Sequence, residues 1–179
     1  MNGESSSSFF IAMADFKYEK QGFEKLSSLK LEISTHENEV ILPPRSQSTE
    51  KSTRLIRILQ LKYSGTYRVG SEGNEDAQFM RAMTCACLEI WFVDAVIFDL
   101  TGFSYTWGNM ISDAITYPVE KYEKGFPVCI VSSELCDAAL RSLRGFYAHS
   151  FPEGFEVVQS NLNYATEYIL KYFTAHKED

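Results

Sequence analysis

The chain has 179 residues, 45% of them hydrophobic and 23% charged, with 17 basic and 24 acidic side chains and a net charge of -7. This length and composition are typical of one folded domain and exclude global disorder, because enough apolar side chains are present to form a core. The acidic balance excludes nonspecific binding to nucleic acid, which needs clustered Lys and Arg, and is compatible with a basic protein partner.

The start of the chain and its cysteines bear on the cellular compartment. Residues 1–14 include four consecutive serines and are expected to form a mobile tail, which leaves a single domain over residues 15–179. The apolar patch 9–14 is too short for a secretory signal, and no apolar run approaches the roughly 20 residues that span a bilayer. The four cysteines lack metal-ligand spacing and are expected to be free thiols, which favours a cytoplasmic location.

Two short strands are predicted in the first third of the chain. Leu29, Leu31 and Ile33 alternate with polar residues, as in a half-exposed strand, and residues 39–42 are predicted to form a second short strand before Pro43. The sequence leaves open whether residues 1–53 add an element to a sheet or wrap across a partner.

From Arg54 onward, predicted strands and helices alternate. Four successive strand-then-helix units predict an α/β fold with a mostly parallel sheet, in which ligands and partners meet the loops at the carboxyl ends of the strands. The predicted strands cover residues 54–63, 95–100, 127–131 and 155–158, and helices are predicted to begin near residues 74, 108, 132 and 161. The predicted strand-end loops are residues 65–74, 101–107, 132–134 and 160–161.

The central stretch is DAVIFDLTGFSYTWGN, residues 94–109. Its apolar run ends at Asp99, a carboxylate that either braces the following loop or takes part in chemistry. Bracing is favoured, because Thr101, Ser104 and the loop amides are nearby donors. A general acid or base needs a catalytic partner, and no histidine lies close to Asp99 in sequence.

The same stretch places two large aromatic residues, Tyr105 and Trp107, in a loop. Such residues either cover the core or anchor an interface. Tyr67 and Arg68, in the preceding strand-end loop, extend the same surface. The predicted partner-binding residues are Tyr67, Arg68, Thr101, Ser104, Tyr105, Thr106, Trp107 and Asn109.

No complete motif for a cofactor, a metal or a nucleophile is present. Gly65, Gly70 and Gly73 match neither common phosphate-binding pattern, and the acidic residues beside them repel phosphate. The three histidines, His36, His149 and His176, lack metal-ligand spacing, and His149 is the best single candidate for acid-base work. We therefore expect no cofactor, no metal and no catalytic residue.

The order of elements and the run DLTGFSY, residues 99–105, resemble the STAS domain of anti-sigma-factor antagonists, over about residues 55–173. Gly108 or Asn109 stands where those antagonists carry a phosphorylatable serine. Weaker resemblances are to crotonase-like proteins and to bacterial immunity-type proteins. The STAS and immunity-type resemblances imply a non-enzymatic regulatory or immunity-type protein that binds a partner protein. The alternative, implied by the crotonase-like resemblance, is a small enzyme that acts on an acyl substrate, with loop amides near Asp99 as an oxyanion site. The oligomeric state is not specified.

Overall fold

The computed structural model describes residues 27–42, 52–122, 125–143 and 157–175. In these ranges, five strands form one sheet whose spatial order follows the chain. The first strand is antiparallel to the second, and all later neighbours are parallel. The α/β prediction with a mostly parallel sheet is therefore confirmed. The strands are β1 Lys30–Leu42, β2 Ser52–Thr66, β3 Ala95–Ser104, β4 Val128–Val131 and β5 Val158–Gln159.

The described helices lie on both faces of this sheet. Because the parallel strands follow one another in chain order, crossovers of one hand place the connecting helices on the same face. The first three helices share one core with Leu59, Leu61 and Phe98, whereas the last helix packs against Ile58 and Ile97 on the other face. The helices are α1 Gly73–Ile90, α2 Ile111–Tyr122, α3 Asp137–Ser142 and α4 Leu162–Ala175.

The two short strands predicted early in the chain are one strand, β1. It pairs with β2 without interruption from Lys30 opposite Ser64 to Leu42 opposite Ser52. The separate prediction was wrong because backbone pairing with β2 carries β1 through a polar stretch that lacks the apolar alternation of a strand. Residues 30–42 therefore join the sheet, while the predicted tail 1–14 lies outside the described residues.

Strand β3 is longer than predicted, so Thr101 and Ser104 lie on the strand and not in a loop. The pairing with β2 shifts between Lys62, which lies opposite Asp99, and Ser64, which lies opposite Gly102. The extra residue on β3 is a β-bulge, which interrupts the regular inward and outward alternation. Because the alternation is interrupted, the sequence pattern does not predict where β3 ends.

Helix starts also differ from the prediction. Helix α2 begins at Ile111 instead of near residue 108, and α3 begins at Asp137 instead of near residue 132. Ser132 lies before α3, and its hydroxyl donates a hydrogen bond of 2.7 Å to Asp137 Oδ1. The prediction for α4 is confirmed, because Asn161 Oδ1 accepts the backbone N–H of Tyr164 at 3.0 Å as an N-cap does.

Candidate functional site

Three loops follow β2, β3 and β4 at one edge of the sheet: residues 67–72, 105–110 and 132–136. Backbone hydrogen bonds join neighbouring strand ends there. Tyr67 N donates to Ser104 O at 2.9 Å, and Tyr105 N donates to Leu135 O at 3.1 Å. The three loops therefore form one continuous surface.

A cluster of three aromatic rings supports this surface from below. Tyr67 lies edge-on to Tyr105 at 5.3 Å and to Phe103 at 6.0 Å between ring centroids. Tyr67 and Tyr105 are each only 2% exposed, and the Tyr105 hydroxyl donates to Gly108 O at 2.6 Å. Tyr67 and Tyr105, both predicted at the partner-binding surface, thus have side chains that pack in the core beneath it.

The Tyr67 ring is held between the starts of α1 and α2. A Cβ atom on Gly73 would lie 2.4 Å from Tyr67 Cε1, and one on Gly108 would lie 3.0 Å from the same atom. Both positions therefore need glycine for this close approach. The buried Tyr67 hydroxyl has no hydrogen-bond partner among the described residues. Burial, followed by the charges of Asp76 and Asp113, raises the pKa of Tyr67 to about 12.

Arg68 forms an ion pair that ties its loop to α1. Its Nη2 donates to Asp76 Oδ1 at 3.0 Å, its backbone N donates to Asp76 Oδ2 at 2.8 Å, and its Nη1 contacts Glu75 at 3.0 Å. Ser27 Oγ adds a 2.6 Å hydrogen bond to the fully buried Asp76. Burial raises the pKa of Asp76, but the hydrogen bonds from Arg68 and Ser27 outweigh it and hold that pKa below its usual range.

Asp99 accepts hydrogen bonds on both carboxylate oxygens. Oδ1 accepts the backbone N–H of Thr101 at 3.1 Å and its hydroxyl at 2.7 Å, and Oδ2 accepts Gln60 Nε2 at 2.9 Å. Because the Gln60 amide nitrogen faces the carboxylate, its oxygen faces His36 Nε2 at 2.7 Å, and that nitrogen carries the proton. Asp99 thus braces the β-bulge. It also ends a chain of hydrogen bonds that runs from His36 on β1 through Gln60 on β2 to β3.

The outer surface of the three loops carries large apolar side chains. Val69 is 60% exposed, Trp107 59%, Leu135 54% and Met110 39%. The indole of Trp107 lies against the first loop, since a Cβ on Gly70 would be 3.7 Å from Trp107 Cζ3. Sequence reasoning predicted Trp107 but missed the other three. In the sequence, each of these three is simply an apolar residue in a loop, and such a residue is equally typical of a contact with the core.

The remaining predicted residues are polar and lie on β3 or in the loop that follows it. Thr101, Thr106 and Asn109 are exposed, and Ser104 is half-buried. The backbone oxygen of Asn109 accepts both the N–H of Ser112 at 3.1 Å and its hydroxyl at 2.6 Å, so this residue also fixes the start of α2.

Cysteine, histidine and acidic side chains are the groups that could bind a metal or act as nucleophile, acid or base. Within residues 27–42, 52–122, 125–143 and 157–175, no three His, Cys, Asp or Glu side chains are placed to share a metal ion. The four cysteines are free, and burial raises the pKa of Cys87 to about 11 and that of Cys129 to about 12. His36 lies on β1, while His149 and His176 fall outside the described residues. No helix in the described part of the chain is sufficiently long and apolar to cross a membrane.

A cavity of about 380 Å³ lies at the opposite end of the strands, lined by Leu55, Arg57, Phe92, Val93, Asp94 and Tyr122. Asp94 in this cavity is paired with Arg54 at 2.9 Å. Five residues of extended strand, roughly 16 Å, separate Asp94 from Asp99. The cavity is therefore not part of the strand-end surface.

Comparison with known proteins gives one structural likeness. No protein-family model matches the sequence, and no curated protein matches it. The crystal structure of an anti-sigma factor antagonist from Mycobacterium paratuberculosis is similar at 13% sequence identity and a TM-score of 0.42, covering 73% of this chain and 92% of that chain.

Proposed function

We propose that this chain is a non-enzymatic, regulatory protein-binding module that engages a partner protein through the loops at the carboxyl ends of its strands. The observation that carries the proposal is the apolar set on residues 67–72, 105–110 and 132–136. Four large apolar side chains from three loops, each 39% to 60% exposed, lie at one edge of the sheet. Exposed apolar side chains grouped in this way mark interaction sites.

Trp107 is the anchor of the proposed surface. Tryptophan is enriched among residues that dominate binding energy, because it buries a large area and loses little side-chain entropy. More than half of this side chain remains exposed. Its burial against a partner is expected to contribute about 2–4 kcal/mol.

The surface is well suited to binding because its base is rigid. The Tyr67, Phe103 and Tyr105 rings pack together beneath it, and the Arg68–Asp76 pair fixes the first loop. A loop that is already ordered loses less conformational entropy when a partner binds. Arg68 therefore acts mainly by holding the loop in place.

Polar groups complete the proposed interface. Thr106 and Asn109 are exposed in the same loop as Trp107, and Thr101 and Ser104 precede that loop on β3. A polar rim around an apolar centre is the usual composition of a protein interface. These residues are expected to contribute specificity more than affinity.

The test is a quantitative pull-down from a lysate of the source organism, with wild-type, Trp107→Ala and Phe92→Ala proteins as baits. Phe92 is the matched control, because it is an aromatic residue that is 89% exposed at the opposite end of the strands. A protein retained by the wild type and by Phe92→Ala, but lost from Trp107→Ala, supports the proposal. Equal retention by all three baits, or no retained protein although the wild type is folded by circular dichroism, contradicts it.

A further inference from the structure

The charges on the three strand-end loops are not balanced. Arg68 is the one basic residue in residues 67–72, 105–110 and 132–136, and it is paired with Asp76 and Glu75. Glu72 and Glu134, in the first and third loops, are exposed and have no ion-pair partner among the described residues. The loop surface therefore carries uncompensated negative charge.

The amino-terminal ends of α1 and α2, which lie beneath the loops, do not cancel the negative charge of the loop surface. The amino termini of α1 and α2 point to this edge, and helix dipoles alone would favour an anion there. Each helix, however, has acidic residues in its first turn, Glu75 and Asp76 in α1 and Asp113 in α2. The charges of Asp76 and Asp113 both raise the pKa of the neighbouring Tyr67. Acidic side chains in these first turns thus oppose the positive ends of the two helix dipoles.

The two unpaired acids lie beside the apolar set. Glu72 is two residues beyond Gly70, the position against which Trp107 packs, and Glu134 directly precedes the exposed Leu135. Negative charge therefore flanks the apolar set on two of its three loops. A partner that buries these apolar side chains brings its own flanking residues close to the two carboxylates.

We infer that the partner presents a basic amphipathic segment, in which apolar side chains that cover Trp107 and Leu135 are flanked by Lys or Arg opposite Glu72 and Glu134. This inference rests on the proposed function, since it names the chemistry of the partner at the same surface. Charge complementarity of this kind speeds association and selects the partner. The same charges disfavour phosphate-rich surfaces, so nucleic acid and anionic membranes do not fit the site.

The test uses two fluorescent synthetic peptides, one built from Leu and Lys and the other from Leu and Glu, with fluorescence anisotropy as the readout. The double variant Glu72→Lys/Glu134→Lys is compared with Glu39→Lys/Glu167→Lys, which changes the net charge equally on exposed residues of β1 and α4. The wild type is expected to bind the Leu/Lys peptide, and the site double variant about tenfold more weakly. The control double variant is expected to lose less than about threefold, and added salt is expected to weaken binding.

Three outcomes overturn the inference. The first is equal binding of the two peptides, the second is an equal effect of the two double variants, and the third is binding of the wild type to anionic phosphatidylglycerol vesicles. Trp107→Ala separates this inference from the proposed function. If Trp107→Ala loses the lysate partner while Glu72→Lys/Glu134→Lys retains it, the binding surface stands and only the basic character of the partner is wrong. If Trp107→Ala binds the lysate partner as the wild type does, the proposed surface itself is wrong.

Discussion

The Oδ1 atom of Asp99 accepts the backbone N–H of Thr101 at 3.1 Å, two residues farther along β3. This is where β3 carries an extra residue relative to β2, so the pairing shifts between Lys62 and Ser64 on the neighbouring strand. The carboxylate satisfies an amide at the irregularity, and its other oxygen is held by Gln60 on β2. The bulge thereby becomes a fixed bend, and it directs the following residues to the loop that carries Trp107.

Replacing Asp99 tests this bracing role. Asp99→Ala is expected to lower the free energy of unfolding by about 1–3 kcal/mol, because the Thr101 amide and the Gln60 side chain lose their acceptor. Asp99→Asn keeps one carbonyl oxygen and is expected to cost less. Urea unfolding followed by circular dichroism measures both effects. An unchanged midpoint for Asp99→Ala contradicts a bracing role, and an enzyme would instead lose turnover with its folding intact.

The two buried tyrosines beneath the loops are expected to respond oppositely to loss of their hydroxyl groups. Tyr67→Phe removes a buried hydroxyl that has no partner among the described residues, so it is expected to be neutral or stabilising by up to about 1 kcal/mol. Tyr105→Phe removes the hydrogen bond to Gly108 O and is expected to cost about 1 kcal/mol. Chemical unfolding of the pair provides the comparison. A larger loss from Tyr67→Phe than from Tyr105→Phe contradicts the described packing.

Asp76 makes stability depend on pH in the acid range. Its pKa is lower in the folded chain than in the unfolded chain, so its contribution is fully present above the unfolded pKa of about 4 and is lost as the pH falls through the folded pKa. Asp76→Asn is therefore expected to lower stability at pH 7 and to flatten the loss below pH 4. Urea midpoints across this range give the test. An identical acid dependence in the variant and the wild type contradicts the role of Asp76.

Gly73 is expected to tolerate no side chain. A Cβ at this position would lie 2.3 Å from Arg68 O and 2.4 Å from the Tyr67 ring, so the loop or the helix start must shift. Gly73→Ala is expected to destabilise the chain by about 1–3 kcal/mol. The exposed Ser71→Ala is the control and is expected to change stability by less than about 0.5 kcal/mol. Equal midpoints for the two variants contradict the close packing of Tyr67 on α1.

The core strands were predictable because their pattern is local. The apolar runs of β3 and β4 are unbroken, as in strands covered on both faces. The helix predicted to begin near residue 108 corresponds to α2, and its residues Ile111, Ala114 and Ile115 are buried in the core. Strand β1 was divided wrongly, because the polar His36 gains its partner, Gln60, from a strand more than 20 residues away.

The candidate site was less predictable because exposure depends on neighbouring elements. Tyr105 and Trp107 are two residues apart in one loop, yet Tyr105 packs beneath the loop and Trp107 lies above it. The aromatic pattern is the same for both, and only the packing of Tyr67 and Phe103 separates them. Val69 and Leu135 gave no sign in sequence that they share an edge with Trp107.

The most direct measurement is the affinity of the captured partner for wild-type, Trp107→Ala and Phe92→Ala proteins by isothermal titration calorimetry. If the strand-end loops form the interface, Trp107→Ala weakens binding by about thirtyfold or more, which corresponds to roughly 2 kcal/mol. Phe92→Ala, at the other end of the strands, then stays within about twofold of the wild type. Wild-type affinity in Trp107→Ala, or a larger loss in Phe92→Ala, would place the interface elsewhere and contradict binding through the strand-end loops.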